Sequence, residues 1–324
     1  MPRIPRTMRA EAIDRFGPPS VLKTRELPVP RVGRRDVLIA IHTAGVGSWD
    51  AEIRAGWWPG GGRPRFPLVL GTDGSGRVAA VGASVRRFRV GDVVQAYEFT
   101  GSGGGFYAEY VSAAERSVGR APRGMSLRDV GAMAVTGLTA LQGVDGALRL
   151  RRGETVIVHG ASGGVGTLAV QFAKLRGARV IATATGRDGI ALARRLGADE
   201  ALDGRARDLA ERIRRVVPGG ADAVLAFAGQ NLSACLDALK ARGGRLAYPN
   251  GVEPEPRKRR GVRVKTWDAK AGADRFLALK RASEAARLRV PIGATYRLRD
   301  AAKAHRRIEK GHVLGKVALI VRSR

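Results

Sequence analysis

The sequence contains a single cysteine, Cys235, among 324 residues. One thiol excludes an intrachain disulfide and a zinc lobe built from several cysteines, and it fits a reducing compartment. Acidic residues are also few, because 29 Asp and Glu stand against 58 Lys and Arg. The resulting net charge of +29 favours contact with phosphorylated ligands, nucleic acids or anionic membranes, and charge alone does not choose among them.

Long apolar runs are absent as well. No stretch approaches the roughly 18 to 20 apolar residues that cross a bilayer, and no apolar signal region follows the basic residues 1–17. We therefore expect a cytoplasmic protein without a membrane span. The hydrophobic fraction of 44% is that of a folded protein, and at about 150 residues per domain the length predicts two domains.

The first 120 or so residues are rich in short β-type runs. Strands are predicted at 36–42, 76–81 and 92–97, each bounded by turn-forming residues. This spacing is typical of an all-β, barrel-like domain.

From about Thr155 the pattern changes to alternating strands and helices, which predicts a parallel sheet covered on both faces. The predicted strands are 155–159, 179–184, 221–228 and 245–249, and the predicted helices are 167–175, 190–196, 209–217 and 232–241. The last 55 residues contain one more helix, at 276–288, and a final strand, at 316–321. We expect this segment to return to the first domain.

The strongest chemical signal is VIVHGASGGVG at residues 156–166, which follows one predicted strand and opens one predicted helix. Glycines there allow close approach of a pyrophosphate, whose charge is stabilised by the helix start. The sequence predicts a dinucleotide site formed by Gly160, Ser162, Gly163, Gly164, Val165 and Gly166. A tight turn without a ligand is the alternative.

The end of the second strand in this region distinguishes NADP from NAD. An Asp or Glu there bonds the ribose 2′-OH of NAD and repels a 2′-phosphate. Residues 182–187 contain no acid, and Thr185 and Arg187 are suited to bind a phosphate. NADP(H) is therefore the predicted cofactor, and the alternative is that Arg187 is one more solvated arginine.

The chain resembles the zinc-independent quinone oxidoreductases of the medium-chain dehydrogenase/reductase superfamily. The motifs that carry this resemblance, in order, include AGVGSWDAEIRAG, FPLVLGTDGSGRVAAVG, GFYAEYV, VTGLTALQG, the glycine loop, LGAD and GHVLGKVALIV. The resemblance implies an α/β fold with a GroES-like β-barrel domain at 1–124 and a doubly wound, parallel-sheet Rossmann domain at 125–266. It further implies that segment 267–324 returns to the first domain, with an active site in the cleft where the nicotinamide lies.

Several family features are replaced in this chain. Zinc-dependent relatives hold their catalytic metal through a cysteine and a histidine at positions where this sequence has Gly47 and Thr72, so the resemblance implies no zinc. Gly189 and Gly204 replace two residues that commonly hold the 2′-phosphate, and we expect Arg187, and also Arg205, to substitute.

The function that the resemblance implies is metal-independent, NADPH-dependent hydride transfer to a quinone or an α,β-unsaturated carbonyl. A homodimer formed through the Rossmann sheet is expected in the same way. One alternative is a nucleotide-dependent nucleic-acid-binding protein of the same fold with little catalysis, whose basic tract at 257–260 binds nucleic acid non-specifically. A zinc alcohol dehydrogenase is the other.

Candidate substrate-site residues follow the AG turn, and each has a structural role as its alternative. They are Ser48, Trp49 and Asp50, with Tyr97 as a donor to a developing enolate or quinol oxygen. Further cofactor candidates are Thr136, which resembles the nicotinamide-side threonine of the family, Ala228 and Gly229 at a strand end, and Lys316 in the returning segment. Thr136 is alternatively the N-cap of a helix that begins near Gly137. The four histidines are expected to be non-catalytic.

Overall fold

The computed structural model describes residues 4–58, 63–98, 105–257 and 259–322. The contacts within the chain divide it into two compact units. Unit 1 comprises the residues up to Val135, Ala271–Arg281 and the residues from Ile292 on, and unit 2 comprises Thr136–Lys270 and Ala282–Pro291. The chain therefore passes between the units four times.

The strands, in chain order, are β1 (Thr7–Ile13), β2 (Lys23–Pro28), β3 (Asp36–Val46), β4 (Leu68–Val69), β5 (Asp73–Val81), β6 (Val93–Tyr97), β7 (Tyr110–Ala114), β8 (Val118–Arg120), β9 (Thr155–His159), β10 (Arg179–Ala184), β11 (Glu200–Asp203), β12 (Ala223–Ala226), β13 (Arg245–Pro249), β14 (Arg263–Trp267), β15 (Ile292–Arg297) and β16 (Lys316–Ile320). The α-helices are α1 (Ser48–Ala55), α2 (Leu127–Leu141), α3 (Gly166–Leu175), α4 (Gly186–Arg195), α5 (Leu209–Val216), α6 (Leu232–Leu236), α7 (Ala273–Ala285) and α8 (Ala301–Glu309). A π-helical segment, Gln142–Leu148, follows α2.

Unit 1 is built on two sheets. The larger has seven strands in the order β15-β16-β3-β5-β6-β8, with β7 paired to β3, and the smaller has the order β2-β1-β4. Strand β16 pairs antiparallel with β3, so that Val317 lies opposite Val46. Buried side chains of β3, β5, β6 and β16, among them Ile39, Val78 and Val94, form its main core with the apolar face of α8.

Unit 2 contains a six-stranded sheet in the order β11-β10-β9-β12-β13-β14, and every pair in it is parallel. This is the 3-2-1-4-5-6 order of the Rossmann fold, whose strand order reverses between the first and fourth strands. Val156, Ile157 and Val158 of β9 are fully buried, as expected for a parallel strand covered on both faces. The predicted Rossmann sheet is confirmed.

In unit 2 one predicted helix is shorter in the structure, and two strands were not predicted. The helix predicted at 232–241 ends at Leu236, because Ala238 and Lys240 exchange backbone hydrogen bonds with Ala221 and so run beside it in extended form. Strands β11 and β14 were not predicted. Both are short and carry charged residues, and only Ala201 in β11 is buried, so neither gives the apolar run by which buried strands are found.

Helix α2 begins ten residues before the expected start near Gly137. Its cap is Ser126, whose Oγ accepts the Asp129 amide at 3.1 Å, and the first turn is fixed to unit 1 by the Ser75 hydroxyl, which donates to Leu127 O. Thr136 therefore lies within the helix, and its alternative role as an N-cap is wrong.

Candidate functional site

The glycine loop lies where the strand order of the unit 2 sheet reverses. It leaves the end of β9, beside β12, and leads directly into α3. The amides of Gly160 and Ala161 donate to the Thr183 carbonyl on β10 at 3.1 and 2.9 Å. Gly160 has a φ of +79°, a conformation that glycine adopts without steric cost. The loop thus occupies the usual ligand crevice of an open parallel sheet.

Two glycines of the loop have different roles. A Cβ on Gly166 would lie 2.2 Å from Gly160 O and 2.8 Å from the Cα of Ala161, so only glycine lets α3 begin this close to the loop. A Cβ on Gly163 would meet nothing nearer than Gly160 O at 3.5 Å. The protein itself tolerates a side chain at Gly163, and the bare backbone there leaves room for a ligand.

The loop also presents unused donors. Within the part of the chain that the structure describes, the amides of Gly164, Val165 and Gly166 donate to no protein acceptor. They belong to the residues that lead into and begin α3, where a helix binds anions through free N–H groups and its dipole. Together with the open face of Gly163, these donors fit the pyrophosphate of a dinucleotide.

Ser162 faces the next strand-helix unit. A Cβ on Gly189 in α4 would lie 3.1 Å from the Ser162 Oγ, so the serine fills the space beside this glycine. A lysine at position 189, as in many family members, would have to move the serine. The loss of the family lysine is therefore accompanied by close packing between the glycine loop and α4.

The end of β10 carries the residues predicted to recognise a 2′-phosphate. Thr185 precedes α4, and Arg187 is exposed in its first turn. Arg205 is also exposed, and its amide is held by Asp203 Oδ1 at 3.0 Å. Asp188 accepts the Gly189 amide at 2.8 Å. Two arginines and two aspartates thus flank this strand end, and selection of NADP by Arg187 and Arg205 stays a prediction.

The segment after β12 lies against the glycine loop. A Cβ on Gly160 would meet the Cβ of Ala228 at 3.4 Å, and a Cβ on Gly229 would lie 2.1 Å from Pro254 O. The structure thus brings Ala228 and Gly229 to the crevice beside the loop. Gly229 has a packing role there that needs no cofactor.

His159 forms hydrogen bonds with two segments that border the same crevice. Its Nε2 is 2.8 Å from Gln230 O, which can only accept, so Nε2 carries the proton and Nδ1 accepts from Thr183 Oγ1 at 2.6 Å. Burial lowers the pKa of His159. This neutral imidazole joins β9, β10 and the segment after β12, and its non-catalytic role stays a prediction.

The candidate substrate residues of unit 1 lie on the first turn of α1. Ser48 is exposed, and the Trp49 ring packs edge-on against Trp57, with centroids 5.6 Å apart. Asp50 is 1% exposed. Its Oδ2 accepts from the Gly47 amide at 2.8 Å and from the Tyr107 hydroxyl at 3.2 Å. Of these three residues, Asp50 has the most unusual environment.

A second buried carboxylate and a buried lysine accompany Asp50. Asp73 accepts the Val135 amide at 2.8 Å, and Lys316 Nζ donates to Val46 O at 3.3 Å. Burial raises the pKa of Asp50 to about 7 and that of Asp73 to about 6, while the charge of Lys316 lowers both. Lys316, a predicted cofactor residue, therefore contacts the carboxylate region of unit 1, and its cofactor role stays a prediction. Tyr97 lies opposite Asp73 on β6, on the same face of the sheet.

Three residues missed by the sequence analysis complete this cluster. The Tyr107 hydroxyl is 3.2 Å from His305 Nε2, and His305 Nδ1 is 3.4 Å from Arg54 Nη1. Arg54 also pairs with Glu309 at 2.8 Å. Burial and the charge of Arg54 lower the pKa of His305 to about 3. The sequence contains one signal that could have identified His305 as buried: it shares one face of α8 with Ala301 and Ala304.

Two parts of the chain match known protein families. Residues 33–123 match the family described as "Alcohol dehydrogenase GroES-like domain", and residues 196–319 match "Zinc-binding dehydrogenase". Human quinone oxidoreductase is 32% identical over 97% of this chain and 98% of its own length. The chain belongs to the quinone oxidoreductase family of the medium-chain dehydrogenase/reductase superfamily. It is thus an NAD(P)-dependent oxidoreductase with a GroES-like and a Rossmann domain.

Solved structures agree with this family. A protein described as an NAD-dependent alcohol dehydrogenase shares 33% identity with a TM-score of 0.89 and covers 97% of this chain and 100% of its own. A mycobacterial protein complexed with NADPH shares 28% identity with a TM-score of 0.84, again over 97% and 100% of the two chains. The two descriptions name different nicotinamide cofactors.

Two further kinds of feature are absent from the described residues of this quinone oxidoreductase family member. In residues 4–58, 63–98, 105–257 and 259–322, no three His, Cys, Asp or Glu side chains are grouped so as to hold a metal ion. None of the helices described is both long and apolar enough to span a bilayer.

Proposed function

We propose that this protein reduces a quinone or an α,β-unsaturated carbonyl with NADPH and without a catalytic metal. The observation that carries the proposal is the glycine loop at residues 160–166, with free helix-start amides and an open Gly163 at the reversal point of a Rossmann sheet. The names of the family relatives supply the substrate class.

The preference for NADPH rests on the end of β10. Residues 182–187 provide a threonine and an arginine and no carboxylate, and a 2′-phosphate needs hydrogen-bond donors and positive charge. The NADPH complex of the mycobacterial relative supports this choice. The relative described as NAD-dependent makes the comparison of NADPH with NADH the decisive measurement.

Metal independence rests on which side chains are present. Gly47 has no side chain, and Thr72 offers a hydroxyl where zinc-dependent relatives place an imidazole. Zinc sites in proteins are built from Cys, His and carboxylate ligands, and the one cysteine, Cys235, is buried in unit 2 with a pKa raised to about 12 by burial. We therefore interpret the match to a family described as zinc-binding as a match of fold.

We assign cofactor binding to residues of unit 2 and positioning of the acceptor to residues of unit 1. In unit 2 the amides of the glycine loop would hold the pyrophosphate, and Thr185 and Arg187 the 2′-phosphate. The bound nicotinamide supplies the hydride. In unit 1 the turn at Ser48–Asp50, with Tyr97, would position the acceptor and provide a proton for its developing oxygen anion.

The test is a cofactor and acceptor matrix. Chelator-treated protein is mixed with NADPH or NADH and with an ortho-quinone or a simple enone, and absorbance is followed at 340 nm. We expect NADPH consumption with at least one acceptor. Activity that appears only after zinc is added back would show a zinc alcohol dehydrogenase instead. Absence of both cofactor binding and consumption would overturn the proposal.

Arg187→Ala tests the cofactor preference. Losing a charge-assisted hydrogen bond of roughly 1.5–3 kcal/mol should raise the Kd for NADPH about tenfold or more and leave the Kd for NADH nearly unchanged. Arg195→Ala, at the opposite end of the same helix α4, is the matched control and should change neither constant. Equal effects on both cofactors would place Arg187 among the solvated arginines.

Three further expectations belong to this proposal. A homodimer could use β14, an edge strand of the unit 2 sheet, and sedimentation velocity would measure it. Non-specific nucleic-acid binding stays a prediction: Arg259 of the basic tract pairs with Asp237, and Lys258 lies outside the described residues. A cytoplasmic location also stays a prediction.

A further inference from the structure

The cluster around Asp50 has a fixed direction of hydrogen bonding. Arg54 cannot act as an acceptor, so its Nη1 donates to Nδ1 of His305. His305 must then carry its proton on Nε2 and donate it to the Tyr107 oxygen. Tyr107 consequently donates its own proton to Asp50 Oδ2. Every donor in the series points towards the carboxyl group.

This direction does not reverse near neutral pH. The pKa of His305 is lowered to about 3, and burial beside Asp50 raises the pKa of Tyr107 well above its ordinary value. Arginine does not release its proton in proteins. The series therefore does not conduct protons from Glu309 at the surface. It acts as a permanent clamp on one oxygen of Asp50.

The two oxygens of Asp50 are consequently unlike. Oδ2 accepts from both the Gly47 amide and Tyr107. Oδ1 is buried and has no hydrogen-bond partner among the residues that the structure describes. A proton on Oδ2 would face the two hydrogens that Gly47 and Tyr107 already direct at that oxygen, whereas no donor is directed at Oδ1. A proton on Asp50 must therefore sit on Oδ1.

Other charged groups also face Asp50. Asp73 on β5 raises its pKa, Lys316 on β16 lowers it, and the Arg54 charge lies beyond Tyr107 and His305. Burial is the largest influence, and the pKa of Asp50 is about 7. Near neutral pH both the acid and its carboxylate are populated, which suits a group that must release and regain a proton in each turnover.

We propose that Asp50 donates the proton to the oxygen of the reduced acceptor from Oδ1, and that Tyr107, His305 and Arg54 are positioning residues that keep Oδ2 occupied. The proposal rests on the proposed reductase function. Hydride addition to an enone forms a C–H bond at the β-carbon and leaves an enolate oxygen, and addition to a quinone leaves a hydroquinone anion. The O–H bond of Asp50 then breaks as this oxygen takes the proton. Water reprotonates the carboxylate before the next turnover.

Asp50→Asn is the direct test because its amide copies the protonated acid. The amide oxygen can replace Oδ2 and the NH₂ group can replace the protonated Oδ1, yet no proton can be released. We expect kcat to fall by about 100-fold or more while the Kd for NADPH, measured by fluorescence, stays within twofold. We expect the kcat of wild type to decline above a pH near 7, as Asp50 loses its proton. This decline should be absent in the variant. A kcat within twofold of wild type with the same decline would make Asp50 structural and overturn the proposal.

Asp92→Asn is the matched control. Asp92 accepts the amide three residues before it, from Arg89 at 2.9 Å, as Asp50 does from Gly47. Both Asp92 oxygens have partners, since Arg120 binds the other at 2.8 Å. This variant should keep the kcat and pH profile of wild type. An equal loss in both variants would mean that turn stability, not proton release, limits turnover.

Tyr107→Phe tests the clamp. Donation to Oδ2 lowers the pKa of Asp50, so removal of the hydroxyl should move the high-pH decline of kcat to higher pH while NADPH binding is unchanged. A merely structural tyrosine would change stability without moving this decline. The wild-type kcat should also show a solvent deuterium isotope effect, which tests the proton transfer even if a variant fails to fold.

A readout without catalysis separates this inference from the proposed function. The pKa of Asp50 is higher in the folded protein than in the unfolded chain. The melting temperature of wild type should therefore fall relative to that of Asp50→Asn as the pH rises from 4 to 7. Wild type that neither binds nor consumes NADPH would overturn the proposed function and the donor role with it. Normal NADPH turnover with a flat melting-temperature difference would overturn the Asp50 assignment alone.

Discussion

The glycine loop of unit 2 and the Asp50 cluster of unit 1 are built in opposite ways. The loop acts mainly through its backbone, since four of its seven residues are glycines and three of its amides are free of protein acceptors among the described residues. The cluster is almost entirely side chain, and it gathers groups from positions as far apart as Asp50 and His305. The first arrangement suits a ligand of fixed charge. The second suits a group whose charge must change.

This contrast predicts different sensitivities. The loop has no titratable side chain, so its binding strength should depend on shape and little on pH. The cluster combines two carboxyls, a lysine and a histidine, and its properties should depend strongly on pH.

Gly166→Ala should have the largest effect. The new Cβ would lie 2.2 Å from Gly160 O, and overpacking against backbone should cost about 3 kcal/mol of unfolding free energy or more, with loss of NADPH binding. Gly163→Ala is the matched control, since its nearest atom is 3.5 Å away. It should keep wild-type stability and still weaken NADPH binding, by isothermal titration. Comparable destabilisation in both variants would contradict the assigned roles.

Acid should destabilise unit 1 through His305. Its pKa is about 3 when folded and about 6.5 when unfolded, so the unfolded chain binds more protons between these values. Stability from this group is fully present above pH 6.5 and is lost as the pH falls, by about 1.4 kcal/mol per unit. Denaturant titrations of wild type and His305→Gln should converge towards low pH. A constant difference would show that His305 titrates normally.

Gly71→Ala should disturb the clamp by displacing the ring of Tyr107. Gly71 has a φ of +94°, and its Cβ would lie 2.4 Å from the Tyr107 ring, so we expect a loss of about 2 kcal/mol and a moved Tyr107. Gly124→Ala is the control, because Gly124 has a φ of +77° with nothing within 4 Å. It isolates backbone strain, which should cost only about 1 kcal/mol. Thermal unfolding of the two variants gives the packing contribution by difference.

Glu309→Gln should have the smallest effect. Its partner Arg54 is buried, but the glutamate side chain is 40% exposed, and partly exposed pairs contribute about 0–1 kcal/mol. Stability should fall by no more than this, and the pH profile of kcat should not move. A change in the profile would mean that the clamp is coupled to the surface.

The sequence predicted the loop because the loop is local. VIVHGASGGVG joins a strand to a helix within 11 residues, and the steric reason for Gly166 lies in Gly160 and Ala161 of the same motif. The Rossmann sheet followed from the same alternation of apolar strands and helices. The similarity to human quinone oxidoreductase, over 97% of this chain, confirmed the family.

The Asp50 cluster could not be predicted in the same way. Its contacts join residues 57, 198 and 251 positions apart in sequence, and no local pattern links them. The single Asp50 was found because it follows the AG turn, whereas His305 was judged non-catalytic because it has no ligand spacing. The start of α2 was missed for a related reason, since the Ser126 cap and the tertiary contact of Ser75 lie outside the motif VTGLTALQG.

The pairing of β16 with β3 has a consequence for biosynthesis. Lys316 and Val46 are hydrogen-bonded across 270 residues, and at 5–20 residues per second a ribosome needs roughly 15 to 50 seconds to make the intervening chain. During that time β3 emerges without one of its neighbours, and an unpaired strand invites contact with other chains. Unit 2, whose last segment ends at Pro291, is synthesised in full before β16 exists. The unit that begins first is thus finished last.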